Sequence, residues 1–304
     1  MIVYPHAKIN IGLSVTGKRS DGFHDIETVF YPIQLCDIME INLSPCPSPQ
    51  ERGVVGKLRF TCDGFALPGD EQGDNLCCRA YHLLDAAGYS LPPVDIHLHK
   101  GIPVGAGLGG GSSDATYTLL ALNDLFQLQI PDEELVKHAS RLGSDCAFFL
   151  HRSPAFATGK GDILEPLSLS LAEYHIIAVT PPVFVSTAEA YKSAVPRKTT
   201  SHLPELLQAP VDEWRHTVFN DFENTVFKKF PETGRIKEKL YRAGAVYASM
   251  SGSGSSVYGI FRESPEDIAA MFPGCFLWNS GFPPGAVEEL KIEIAAVNNR
   301  SFHN

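Results

Sequence analysis

At 304 residues, with 44% hydrophobic and 20% charged side chains, the chain has the composition of a globular protein and length for one large domain or two ordinary ones. Its formal charge of −10 argues against nucleic acid as the main partner, so a phosphorylated ligand has to be held by a local site and not by a global field. No apolar run approaches the roughly 18 residues of a membrane span.

The start, MIVYPHAKINIGL, has neither the basic-then-apolar pattern of a signal peptide nor an arginine-rich transit pattern. The seven cysteines are irregularly placed and include no C-x-x-C pair, which reads as reduced thiols in a cytoplasm of bacterial type. INIGLSVT, IETVFYPI and IMEINL, all within the first 43 residues, alternate apolar with polar or small side chains and predict strands. The Pro- and Ser-rich residues 44–53 predict a loop, and residues 57–62 another strand. Asp74-Asn75 opens a helical stretch, LCCRAYHLLDAAG, that Gly88 ends. VDIHLH alternates as a strand, a glycine-rich run follows, and helices are predicted from about Ser112 to Phe126 and from Pro131 to about Leu142. CAFFL at 146–150 is too short for periodicity to separate a buried strand from a helical turn. Gly and Pro punctuation around residues 151–165 marks a domain boundary. Beyond it come the strand HIIAV, a helix after Ser186, helices across 211–243, strands VYASM and SVYGIF around a glycine turn, a helix after Ser264 and the strand GCFLW. Strands arriving in runs predict an α+β protein, and from about Gly281 the pattern fades into a tail.

The run VGAGLGGGSSDAT, residues 104–116, carries the chemistry. Gly105, Gly107 and Gly110 spell G-x-G-x-x-G, but a dinucleotide site also needs a second strand ending in an acid about 20 residues on, and here a second helix follows. A Walker loop needs a lysine before Ser112, and a protein-kinase loop needs a lysine on the next strand and an HRD-type segment. Neither is present. What remains is backbone physics. Glycines let N–H groups approach an anion closely, and Ser112, Ser113 and Asp114 stand at a helix start where the dipole favours negative charge. The run predicts a phosphate cradle, with hydroxyls available to phosphate or metal.

PVGAGLGGGSSDA is similar to the glycine loop of the GHMP kinases, the superfamily of galactokinase, homoserine kinase, mevalonate kinase and phosphomevalonate kinase. The resemblance runs along nearly the whole chain, through PHAKINIGLSVTGKRSDGFHDIETVF, DNLCCRA, LGSDCAFFL, VFVSTAEAY, NDFE and SMSGSGSSVYGIF. It implies a small-molecule kinase with ATP as donor and Mg²⁺ as companion ion. It also implies a two-domain α+β fold: an N-terminal domain like ribosomal protein S5 domain 2 over residues 1–157, a ferredoxin-like C-terminal domain over 158–280, and a tail over 281–304. The K-R-x-D-G-[FY]-H run points, within the superfamily, to an acceptor alcohol that carries a cytidyl diphosphate, with no nucleic-acid or membrane partner.

Site roles follow from the same resemblance. Asp145, in the G-[AS]-D segment, is the expected catalytic carboxylate, and Lys8 the cation set against it. Asn10, two residues on and so on the same strand face, is expected to hold substrate hydroxyls. Phe23 and Tyr191 are the expected aromatic clamp on the cytosine, with His24 on the base edge and Thr187 nearby. Pro103, Val104, Gly105, Ala106, Gly107, Leu108, Gly109, Gly110, Gly111, Ser112 and Ser113 form the ATP loop, with Asn75 and Lys100 as further ATP contacts. Ser251, Gly252, Ser253 and Gly254 form a second glycine turn that packs against the first. His6 is a departure, standing inserted before Ala7 where the family text reads P-A-K. No His, Cys or carboxylate set has metal spacing, and Ser113 is the side chain offered to Mg²⁺.

Overall fold

The computed structural model describes residues 1–44, 57–67, 75–196 and 202–280. Most of the expected loop at 44–53 and all of the tail at 281–304 lie outside the described residues. In chain order the first half contains β1 (Ile2–Val3), β2 (His6–Lys18), β3 (His24–Cys36), β4 (Ile38–Leu43), β5 (Leu58–Gly64), α1 (Leu76–Leu84), β6 (Val94–Lys100), α2 (Gly110–Leu125), α3 (Asp132–Leu142), α4 (Phe148–His151), β7 (Ala155–Thr158) and β8 (Ile163–Pro166). The second half contains β9 (His175–Thr180), α5 (Thr187–Ser193), α6 (Leu203–Leu206), α7 (Trp214–Thr217), α8 (Glu223–Lys229), α9 (Pro231–Arg242), β10 (Tyr247–Met250), β11 (Val257–Phe261) and β12 (Phe276–Asn279).

Three four-stranded sheets result, in the orders β1-β4-β6-β5, β2-β3-β7-β8 and β10-β11-β9-β12. Only β5 and β6 run parallel; every other described pair is antiparallel. The third sheet has the strand order of a ferredoxin-like βαββαβ unit. Its second helix has shrunk to a 3₁₀ turn at Ile268–Met271, so the helix expected after Ser264 is one short turn. CAFFL resolves as the helical turn α4, with Phe148 and Phe149 fully buried. The Gly- and Pro-punctuated stretch forms the β7–β8 hairpin on the edge of the second sheet. That sheet therefore reaches Pro166, and the boundary expected at 157/158 falls inside β7.

On a strand every second side chain points the same way, so alternation decides which core each face meets, and β10 and β11 are buried on both faces. Val94, Ile96 and Leu98 of β6 are buried with Ala115, Leu119 and Leu122 of α2 and Tyr81 of α1. The two halves also share core. Ala7, Ile9 and Ile11 of β2 pack with Ile176, Ala178, Tyr258 and Ile260 of the third sheet, while Leu13 and Val15 join Phe222, Val226 and Leu240. His6 is accommodated beside Tyr117 Oη at 2.9 Å and edge-on to Phe149. Burial, with the Arg152 charge adding to it, lowers its pKa to about 4, so the ring packs in its neutral form.

The NDFE segment bolts the halves together. Asn220 Nδ2 donates to the carbonyls of Met250 and Gly252, both at 2.8 Å. Asp221 Oδ2 accepts from the N–H of Val15, and Glu223 Oε1 accepts from the N–H of Met250, both at 2.9 Å. Asn220 is 3% exposed, so removing its amide leaves two buried carbonyls unmatched. Asn220→Ala is expected to lower unfolding free energy by about 2 kcal/mol, read as a fall in the urea midpoint with unchanged slope.

Candidate active site

The loop between β6 and α2 and the turn between β10 and β11 face each other across one cleft of about 430 Å³. Gly109 has φ +75° and stands just before α2. A Cβ there would lie 2.9 Å from the Phe149 ring and 3.1 Å from the Lys8 side chain. Gly107 has φ +80°, and its Cβ would lie 2.0 Å from the carbonyl oxygen of Ser251. Backbone thus touches backbone where the two turns meet. Ser251 Oγ accepts from the N–H of Asn10 at 3.1 Å and donates to the Gly107 carbonyl at 2.8 Å. The N–H of Ser256 donates to Ala106 O at 3.0 Å, and that of Lys8 to Leu108 O at 2.9 Å.

Lys8 and Asp145 meet on the wall of this cleft. Lys8 Nζ lies 3.3 Å from Asp145 Oδ2, with the lysine side chain 4% exposed and the aspartate side chain 31% exposed. The ammonium also donates to Asn10 Oδ1 at 2.5 Å and sits 4.9 Å from the centroid of the Phe30 ring. Asp145 comes from the turn that follows α3, and Lys8 from β2, 137 positions earlier in the numbering. A carboxylate that is accessible, beside a cation that is not, can meet a substrate hydroxyl and accept its proton. Asn10 serves this pair: its Oδ1 takes Lys8, and its Nδ2 donates to Thr28 Oγ1 at 3.0 Å. Both ends of the amide are thereby engaged within the protein.

The other expected residues divide. Pro103 through Ser112 line the cleft, as do Asn75, Thr187, Tyr191, Gly252 and Ser253. Asn75 is the N-cap of α1, accepting from the N–H of Cys77 at 2.8 Å. Thr187 Oγ1 and Ser253 Oγ are 3.0 Å apart, joining the start of α5 to the second glycine turn. Tyr191 stacks on His24 with ring centroids 5.3 Å apart and 28° between planes. It also meets Phe222 edge-on at 4.8 Å. Burial, with the Asp145 charge adding to it, raises the Tyr191 phenol, so it stays protonated. Phe23 does not join the cleft; its ring is 53% exposed with Lys160 Nζ 5.2 Å above it. Gly254 packs behind the turn against Met250. Lys100 borders the cleft, but Asp37 and Asp114 hold its ammonium.

Ser113 is fully buried on the inner face of α2 and does not line the cleft, because a residue one position past Ser112 is turned about 100° around the helix. Among the described residues no three His, Cys, Asp or Glu side chains gather as a metal cage. The Ser113 hydroxyl, buried behind the cleft, is therefore not offered to an ion in it. Phe222, Phe30, Leu67 and Leu76 line the cleft without having been singled out from the sequence. Phe222 in NDFE, Phe30 at the end of PHAKINIGLSVTGKRSDGFHDIETVF and Leu76 in DNLCCRA lay in segments that the resemblance marked, and Leu67 did not.

The family model described as GHMP kinases N terminal domain matches residues 75–153, and the one described as GHMP kinases C terminal matches residues 203–275. The 4-diphosphocytidyl-2-C-methyl-D-erythritol kinase of Bacteroides thetaiotaomicron is 49% identical over 262 residues, covering 86% of this chain and 92% of that protein. The chain belongs to the GHMP kinases, in the branch of the 4-diphosphocytidyl-2-C-methyl-D-erythritol kinases. In the same branch, the Porphyromonas gingivalis enzyme is 44% identical over 289 residues, covering 93% of this chain and all of that protein. A crystal structure of a 4-(cytidine 5'-diphospho)-2C-methyl-D-erythritol kinase superposes with a TM-score of 0.75 at 32% identity, over 92% of this chain and 98% of that one. The mevalonate kinase of Methanococcus jannaschii, at 16% identity and a TM-score of 0.64, shares the GHMP kinase fold.

The contact of the two glycine turns is the tightest constraint in this GHMP kinase site. Gly107→Ala places a methyl group on the Ser251 carbonyl and is expected to part the turns. ADP formation should fall about 100-fold, the scale of a misplacement near 1 Å, alongside a lower melting temperature in a thermal scan.

Proposed function

We propose that this chain transfers the γ-phosphoryl group of ATP to the 2-hydroxyl of 4-diphosphocytidyl-2-C-methyl-D-erythritol, giving the 2-phosphate and ADP. The reaction belongs to the non-mevalonate route to isoprenoid precursors. The observation that carries this reading is the Lys8–Asp145 pair, 3.3 Å apart on the wall of the cleft that the glycine loop borders. The stacked His24 and Tyr191 rings beside that pair support the choice of a cytidyl substrate.

Phosphoryl transfer asks the protein for positioning and charge neutralisation more than for covalent chemistry. The backbone N–H groups of the loop and of the first turn of α2 receive the phosphates of Mg–ATP, whose ion travels with the nucleotide. Asp145 orients the acceptor hydroxyl and takes its proton as the new O–P bond forms. Lys8 offsets the charge on the moving phosphoryl group. Asn10 fixes the lysine in that position. Tyr191, braced by Phe222, would offer an aromatic face to the pyrimidine once the His24 ring stacked on it turns a nitrogen to the base edge. Phe23 would close the clamp from the other side by turning in from its exposed position. Cys36, Cys77, Cys78, Cys146 and Cys275 are free thiols, which fits a reducing cytoplasm.

Asp145→Asn is expected to cut kcat by about 10²- to 10⁴-fold while ATP affinity, read by calorimetry, stays near wild type; a mutant with wild-type turnover would remove Asp145 from the chemistry. His24→Ala is expected to raise KM for the cytidyl substrate at least about tenfold with KM for ATP unchanged. Equal weakening of both would take His24 out of the base site.

A further inference from the structure

Beneath the glycine loop lies a buried charged cluster that the reaction as described does not use. Asp37, between β3 and β4, is 0% exposed; Lys100, the last residue of β6, and Asp114, in the first turns of α2, are each 3% exposed. Lys100 Nζ donates to Asp37 Oδ2, and to Asp114 Oδ2 at 2.7 Å. Asp37 Oδ1 accepts from the N–H groups of Gly101 at 2.7 Å and Ile102 at 2.8 Å, the two residues that lead into the loop. The N–H of Asp37 in turn donates to Pro5 O at 2.9 Å, just upstream of the β2 strand that carries Lys8.

The connectivity is that of a clamp. Asp37 holds the backbone where the chain leaves β6, Asp114 holds the helix where the chain enters α2, and Lys100 bridges them. Residues 103–109 are strung between the two fixed ends. We propose that Asp37, Lys100 and Asp114, of which the last two also border the cleft, are positioning residues that set the glycine loop for ATP by acting through its two ends.

Charge separates this role from a direct phosphate contact. One cation faces two carboxylates, so the cluster carries no net positive charge to offer a phosphate. Burial, with the Asp37 charge adding to it, raises the Asp114 carboxyl well above the usual carboxylate range. A proton there makes the cluster neutral and still not cationic. Its lever is geometric: backbone donors of a phosphate cradle act only when held at hydrogen-bond distance from the anion.

The proposal rests on reading the loop as the ATP site, and the test separates the two. ATP and the cytidyl substrate are titrated calorimetrically into full-length wild type, Asp37→Asn and Asp114→Ala, and steady-state kinetics are run on all three. Asp37→Asn turns an acceptor facing Lys100 into a competing donor while leaving Oδ1 to hold Gly101 and Ile102. Asp114→Ala releases α2 from the bridge. Both variants are expected to keep the wild-type circular dichroism spectrum and to bind ATP at least about tenfold more weakly. KM for the cytidyl substrate, and kcat at saturating ATP, should stay within about threefold of wild type. Unchanged or tighter ATP binding would overturn the clamp. So would equal weakening of both ligands, the signature of a general structural role, or failure of both variants to fold, which would make the cluster a condition of the fold. If wild type itself binds no ATP, the ATP reading fails and the clamp with it.

Discussion

The hydroxyl of Ser251 is the joint on which the site depends. It takes the N–H of Asn10 and gives its proton to the carbonyl of Gly107, uniting a strand from the start of the chain, the glycine loop and the second glycine turn. Two buried hydrogen bonds through one oxygen leave little freedom of angle. The absence of a Cβ at Gly107 then lets the backbones close to contact. Gly252, Ser253 and Thr187, which line the cleft from the C-terminal half, are placed relative to Lys8 and the loop through this joint and through the Ser256 N–H on the Ala106 carbonyl, with the Asn220 amide bracing the turn from behind.

The electrostatics are local for the same reason. A chain of charge −10 that handles two phosphorylated substrates cannot draw them in with its overall field. On the proposed reading it works instead with backbone N–H groups at the start of α2 and with one buried ammonium, Lys8, held by Asn10 beside Asp145. The second buried ammonium near the loop, Lys100, is neutralised by carboxylates on both sides. Two lysines bordering one cleft thus play opposite parts, and what separates them is only which side chains surround each.

Much of the architecture was legible because it rests on local periodicity. The alternation in INIGLSVT and VDIHLH, the Asn75 cap, and the acids that open α3 each have a physical reading within a few residues. The stretches that misled or stayed open were those where the deciding partner is remote. The β7–β8 hairpin looked like punctuation because its strands are four residues each and are stabilised by pairing with β3, which is far away in sequence. CAFFL became a helical turn because Phe148 and Phe149 had to fill space beside Phe30 and His6. Phe23 and His24 are adjacent in sequence, and which of the two stacks on Tyr191 depended on where the β3 backbone starts.

The sequence by itself determined the α+β class, the family and the glycine loop that opens a helix, and it nominated Lys8 and Asp145, because glycine freedom, apolar period and a resemblance spread along the chain are all written in residue order. Tertiary structure alone decided what those residues face. It put Ser113 inside and Ser112 on the cleft, gave Lys100 two carboxylates, and brought Ser251 onto Gly107. These outcomes turn on helix phase and on contacts spanning more than a hundred residues, and a neighbour that distant leaves no mark on the local pattern.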